Sequence, residues 1–400
     1  MNGLIILQIQ RQISNPLHPS EPDRSAGCQY KTMKHVTLIS LSLLAVVCSC
    51  TKLDVRTPEQ PEREIYFSEP VVSTMTKAVK GEINGLYSAS ESFGVFSIYH
   101  TSEFTSWADG TAYIKGSKFT YNGALDDSDT DDLGGWSGGY FFPKSGYLSF
   151  AAYSPYDAHA ATTPGEGQGT FAYGPTGLTI TDFTVPAALT DQYDLMYSGR
   201  LYNKQGNDGE GDGYEGMDLV FQHALSAIHF QVQQKEAYSG YTIKLKGISI
   251  NDVKYKGSFA EGISDEDPEL FESDPKWTLT PVDLGSGLTT YELTTYDVYA
   301  GDLTLEKIGG TNYHTDFQGA ILMPQRFTST DTAFVKIDYS IIPPSMSEIS
   351  QTATVRLNQL STSWEMGKRY TYNISIGYDT ITISPTVIGW ENVNGDVAVN

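Results

Sequence analysis

The sequence predicts an all-β protein made of antiparallel β-sandwiches, on three observations. Tyr (26) and Gly (38) are abundant among 400 residues, alongside many Thr, Ser and Phe. No sustained 3.6-residue apolar stripe occurs, and short runs of alternating apolar residues recur between clusters of Gly, Pro, Asn and Asp. The spacing of these runs is irregular, which separates the chain from propellers and solenoids with their fixed repeat.

The elements follow in chain order. Met33 to Cys50 (MKHVTLISLSLLAVVCSC) has a basic start, an apolar run from Val36 to Val47, small residues and a cysteine. That run is shorter than the roughly 20 residues a membrane-spanning helix needs, so it reads as an export signal. Val47-Cys48-Ser49-Cys50 is similar to a bacterial lipobox, with Ser49 before the cut and Cys50 as the lipidated new N-terminus. Cys48 fits worse, because the β-branched Val47 precedes it. A signal is read from the N-terminus, so 1–32 is expected to be an upstream extension and 33–50 the signal peptide. Residues 51–64 are polar and contain proline, as a tether does.

The three cysteines are Cys28, Cys48 and Cys50, so the processed chain keeps only the one that would carry lipid. Disulfides and thiolate chemistry are excluded beyond it. Lipid on Cys50 would hold the protein at a membrane without crossing it. Without its first fifty residues the chain has 46 acidic and 22 basic side chains, a net charge of −24. Nucleic acid and anionic lipid are poor partners for such a surface.

Beyond the tether, Glu64 to about Val72 reads as a first strand with Ile65 and Phe67 on one face. Ile228, Phe230 and Val232 alternate, as do Val335, Ile337, Tyr339 and Ile341, and Ala353, Val355 and Leu357. The clearest run places Tyr370, Tyr372, Ile374, Ile376 and Tyr378 on one face, each a half-buried antiparallel strand signature. Asp126 to Gly139 and Gly199 to Gly216 read as acidic, Gly-rich surface loops. The second ends before a fresh set of strands, so the boundary is expected near 217, between domains at 65–217 and 218–400. The closing stretch carries Ile381, Ile383, Val387, Ile388, Trp390, Val393, Val397 and Val399. So apolar a tail either folds back on its own domain or docks into a neighbour.

Motifs for chemistry are sparse. The histidines lack ligand spacing, and no nucleophile elbow, P-loop or dinucleotide fingerprint appears, so neither an enzyme nor a cofactor is expected. His223 and His229 read as hydrogen-bonded strand residues. Asp127, Asp129 and Asp131, and Asp208, Glu210 and Asp212, imitate the first half of a calcium loop. Gly138 and Leu219 stand where the bidentate Glu is required, so no metal is expected. Trp107 and Trp136, if exposed in Gly-rich loops, would suit a sugar-stacking surface, the rival to a structural role.

Several blocks carry a family resemblance: Thr76-Lys-Ala78, Leu148-Ser-Phe-Ala-Ala-Tyr-Ser-Pro155, Asp194-Leu-Met-Tyr197, Phe221-Gln-His-Ala-Leu225, Gly319-Ala-Ile-Leu-Met-Pro-Gln325, Trp364 to Tyr372, and Ile381-Thr-Ile-Ser-Pro385 before Trp390. With the lipobox, this order resembles the Bacteroidales fimbrillins. The resemblance implies two tandem sandwiches of transthyretin-like, Greek-key type and a lipoprotein precursor exported through the periplasm to the outer membrane and cell surface. It also implies assembly with other fimbrial subunits by strand exchange, in which a protease removes the first strand and a neighbour's strand fills the groove. On this chain the cut would fall at Lys77 or Lys80; the family's arginine is missing, since none occurs between Arg63 and Arg200. Cutting at Arg56 or Arg63 would release the lipid without opening the groove. The donor would be the C-terminal strand, and the alternative is a membrane-anchored surface glycan-binding protein or adhesin that does not polymerise, with a host or bacterial surface ligand.

Overall fold

A strand buried on both faces is mostly apolar and pairs the polar groups it carries, and Tyr147–Ser154 (YLSFAAYS) fits: seven of its eight residues are buried, Ser149 and Ser154 among them. It sits centrally in a computed structural model that describes residues 63–68, 70–72, 92–103, 106–122, 135–159, 169–206, 216–236, 240–262, 276–306, 314, 317 and 319–390. The small Ala151 and Ala152 in this strand let neighbouring layers approach closely. Around it runs the N-terminal sheet, in the order Glu64–Phe67, Trp136–Phe141, Thr111–Tyr121, Ser92–His100, Tyr147–Ser154, Met196–Ser198, Val220–His223, Val71–Val72. Leu201–Lys204 pairs beside Tyr147–Ser154 off that path. The described residues all belong to one compact unit, Gln60–Asn400.

Two further four-stranded sheets face each other across the larger core. One orders Ala320–Leu322, Ser226–Gln234, Lys368–Ile376 and Ile381–Gly389; the other orders Leu293–Leu305, Thr242–Lys254, Phe334–Ile342 and Ile349–Arg356. Ile228, Phe230 and Val232 of the first meet Ile243, Leu245, Ile248 and Ile250 of the second in one buried cluster. These are the period-2 apolar positions, which a pleated strand turns to a single face. Tyr370, Tyr372, Ile374 and Ile376 are buried with them, aligned in parallel register with Ile228 to Gln234.

The fold class is therefore all-β and sandwich-like, as expected, and four local readings change. Tyr378 lies beyond its strand at 49% exposure, edge-on to Tyr241, because the chain turns after Ile376. Trp136 starts the strand Trp136–Phe141 and is buried, although the reading as a loop extended to Gly139. Leu201–Lys204 forms a strand within the segment read as a loop. Leu357 begins the short helix Leu357–Leu360 rather than continuing the strand before it.

Strands from either side of residue 217 share a sheet. Thr170–Gly174 and Gly177–Thr184 continue directly into Lys256–Ala260 and Trp277–Leu279. Phe183 and Phe259 each pack against Trp277 in this bridging sheet, with tilted rings and centroids 5.6 and 5.3 Å from it.

Candidate assembly seam

The first strand occupies a gap between two strand edges. On one side Glu64–Phe67 pairs antiparallel with Trp136–Phe141, and the Phe142 amide donates to the Arg63 carbonyl at 2.8 Å. On the other side Phe67 bridges Met217 in parallel, and Val71–Val72 pairs in parallel with Val220–Phe221. The Met217 amide donates to the Tyr66 carbonyl and the Ser68 amide to the Met217 carbonyl, both at 3.0 Å. The Ser68 hydroxyl adds a contact to the Asp218 carboxylate. The segment thus satisfies backbone groups on both flanks, which would otherwise be open sheet edges.

Alternation sets what the segment buries. Ile65 and Phe67 point inward at 0% exposure, and the Phe67 ring lies 5.4–5.6 Å from Phe93, Phe119 and Phe150 in edge-to-face contacts. Glu64 and Tyr66 face outward; the Tyr66 hydroxyl donates to Glu64 at 2.8 Å and the Gly139 amide donates to the same carboxylate at 3.2 Å. Gly216 allows the close approach on the far flank: its φ is +83°, and a Cβ there would lie 2.6 Å from the Ser68 nitrogen. Burying the two apolar side chains contributes about 1.5–3 kcal/mol each.

The C-terminal strand lies elsewhere. Ile381–Gly389 pairs along its whole length with Lys368–Ile376, from Ile376↔Ile381 to Lys368↔Gly389, at the edge of its sheet. Ile381 and Ile383 are half-buried against the core, whereas Val387 and Ile388 are 49% and 44% exposed. Trp390 closes the strand, buried, with its amide donating to the Gly367 carbonyl at 2.9 Å. Its ring stacks on His223, whose Nδ1 is 2.9 Å from the Asp194 carboxylate. Ser49, Cys50, Lys77, Lys80, Val393, Val397 and Val399 lie outside the described residues, as do Asp127, Asp129, Asp131, Asp208, Glu210 and Asp212 of the calcium reading.

Two buried charges near the bridging sheet escaped the sequence reading. Arg200 donates to the Gly174 and Pro175 carbonyls at 3.0 and 2.8 Å and to the Tyr173 hydroxyl at 3.0 Å. Its guanidinium lies over the Trp107 ring at 4.9 Å. Glu261 is buried and accepts from the Leu178 amide at 2.7 Å. Burial pushes its carboxyl up to about 7, opposed by the Leu178 amide, Arg200 and Lys276. Neither has a sequence signature, because the strands that surround them are distant along the chain.

Trp107 is 5% and Trp136 3% exposed, so neither presents a stacking face to solvent. Among the described residues, no group of three His, Cys, Asp or Glu side chains is placed to hold a metal ion.

Layered, mainly antiparallel sheets with a strand closing a seam define an all-β, sandwich-like protein. The chain belongs to the fimbrillin-like family, whose model matches residues 76–390, and is a fimbrial adhesive subunit. Among solved structures it is similar to a fimbrial protein from Bacteroides vulgatus, at 17% identity and a TM-score of 0.52, covering 82% of this chain and all of that one. A putative cell adhesion protein from Bacteroides uniformis matches at 15% identity and a TM-score of 0.46, over 84% and 100% of the two chains. The tip fimbrial protein Mfa3 from Porphyromonas gingivalis, with C-terminal truncation, matches at 10% identity and 0.32, over 75% and 94%. No curated protein sequence matches the chain.

Proposed function

We propose that this subunit is exported as a lipoprotein anchored through Cys50 and assembles by proteolysis-triggered strand exchange. The observation that carries the reading is the first strand, paired on both flanks with Phe67 at the centre of an aromatic core. Cutting at Lys77 or Lys80 would sever this strand from the rest of the chain. Its departure would leave two unpaired edges and the pocket of Phe67 and Ile65, a site shaped for an extended apolar segment. The donor is a C-terminal strand from another subunit, supplying Ile381, Ile383, Val387, Trp390, Val393, Val397 and Val399.

Until that exchange the C-terminal strand completes its own sheet, so the uncut protein takes no part in strand exchange at the seam. Partners are other fimbrial subunits, and the site of action is the outer surface of the cell. The buried Trp107 and Trp136 remove the feature that favoured a sugar-stacking lipoprotein.

The test is to treat lipid-free protein with a trypsin-like protease and look for fibres by negative-stain microscopy, with the cut mapped by mass spectrometry. Fibres that form after cleavage at Lys77 or Lys80, and not from a Lys77→Gln/Lys80→Gln variant, are expected. A correctly truncated protein that stays monomeric would rule out this assembly route.

A further inference from the structure

The long edges of the sheets differ in how they are guarded against pairing with other chains. Leu293–Leu305 has three register shifts along its ladder and carries Asp297 and Asp302, and Ile381–Gly389 carries Pro385 at its middle. Bulges, charges and proline are the usual means of blunting an edge. Ile349–Arg356 (ISQTATVR) has none of them before its last residue. Its eight residues pair with Phe334–Ile342 in unbroken register, from Arg356↔Phe334 to Ile349↔Ile341. It is the outermost strand of its sheet, and among the described residues no strand pairs with its outer side. Ile349 is 45% exposed and the nearby Met346 69%.

We propose that this edge pairs antiparallel with the same strand of a second copy, about a two-fold axis at Thr352. The register argues for the occupant. With Thr352 opposite its own counterpart, Ser350 meets Thr354 and Ile349 meets Val355, hydroxyl to hydroxyl and apolar to apolar, while Gln351 meets the small Ala353. Arg356 then stands opposite Glu348 at both ends of the ladder. Moving the register by one residue sets Arg356 opposite Ile349 and breaks both charge pairs. Net charge elsewhere disfavours contact between copies of so acidic a chain, but 349–355 contains no charged side chain. Glu348 keeps Lys246 at 2.7 Å and Arg356 keeps the Asp331 carbonyl at 2.8 Å within each copy, so the cross-pairs add to existing contacts. An isologous contact of this kind closes as a dimer and is independent of strand exchange at the seam.

The test uses uncut protein, which separates it from assembly by proteolysis. Sedimentation of the unsubstituted protein should show the mass shifting from one copy to two as concentration rises, and Ser350→Lys/Thr354→Lys should hold it at one copy by placing like charges opposite each other. In a background with Cys28, Cys48 and Cys50 changed to serine, Thr352→Cys should form a disulfide dimer on mild oxidation. Ser350→Cys alone should not, but should cross-link when mixed with Thr354→Cys. A single-copy mass for the unsubstituted protein at every concentration would overturn the proposal, even if the variants fail to fold. So would cross-linking of Thr352→Cys no faster than Gln359→Cys, an exposed position outside the ladder.

Discussion

Trp390 lies flat on His223, their ring centroids 3.9 Å apart and their planes 6° from parallel. The histidine comes from Val220–His223 in the N-terminal sheet and the tryptophan follows Ile381–Gly389, so the stack ties the C-terminal strand to a sheet it does not pair with. Trp390→Ala is expected to cost about 3 kcal/mol through lost packing. Urea unfolding measures the loss, and amide exchange should show 381–389 opening before the core strands. Unchanged exchange in that strand would mean the ladder to Lys368–Ile376 holds it alone.

Phe67→Ala removes the central ring from contact with Phe93, Phe119 and Phe150. A loss of about 3–5 kcal/mol is expected for a fully buried phenylalanine. Tyr66→Ala, on the outward face of the same strand, should cost far less. Equal losses at the two positions, measured by thermal or urea denaturation, would show that alternation does not govern this strand.

Glu261 makes stability fall as pH rises. Its carboxyl is held at about 7 in the folded protein against an ordinary 4.5. Below 4.5 both folded and unfolded states are protonated and the group contributes no pH dependence. Between 4.5 and 7 the unfolded chain loses its proton while the folded one keeps it, and above 7 the penalty levels off at roughly 3 kcal/mol. Glu261→Gln should therefore unfold at a higher denaturant concentration than the parent at pH 8. The advantage should disappear at pH 4, and a gap that stays constant across this range would contradict the assignment.

Arg200→Lys retains the charge but not the fork that reaches the Gly174 and Pro175 carbonyls together. A loss of about 2 kcal/mol is expected, since a buried carbonyl left without its donor is costly and a lysine stacks less well on Trp107. Near-UV circular dichroism should also change, because Trp107 and Tyr173 both contact this guanidinium.

Much of this architecture could be read from alternation alone. Ile65 and Phe67, Ile228 to Val232 and Tyr370 to Ile376 bury the residues their period assigns, because a pleated strand leaves each side chain only two directions. What alternation does not carry is partnership between strands. The parallel pairing of Val71–Val72 with Val220–Phe221 joins residues about 150 positions apart, and no local pattern encodes it. Whether Trp107 and Trp136 are exposed is likewise not written in their glycine-rich surroundings: Arg200, far along the chain, covers the first and Tyr121 the second. Glu261 was one acid among many until the bridging sheet enclosed it.

That bridging sheet also determines how a subunit would carry tension. In a filament built by the strand exchange proposed above, force would enter at the seam of one subunit and leave through the C-terminal strand donated to the next. Inside each subunit the load path then crosses the ladder between Gly177–Thr184 and Lys256–Ala260, whose hydrogen bonds would have to yield together when pulled along the strands. With Phe183 and Phe259 packed on Trp277 beside it, this ladder would act as a mechanical clamp between the two ends of each link.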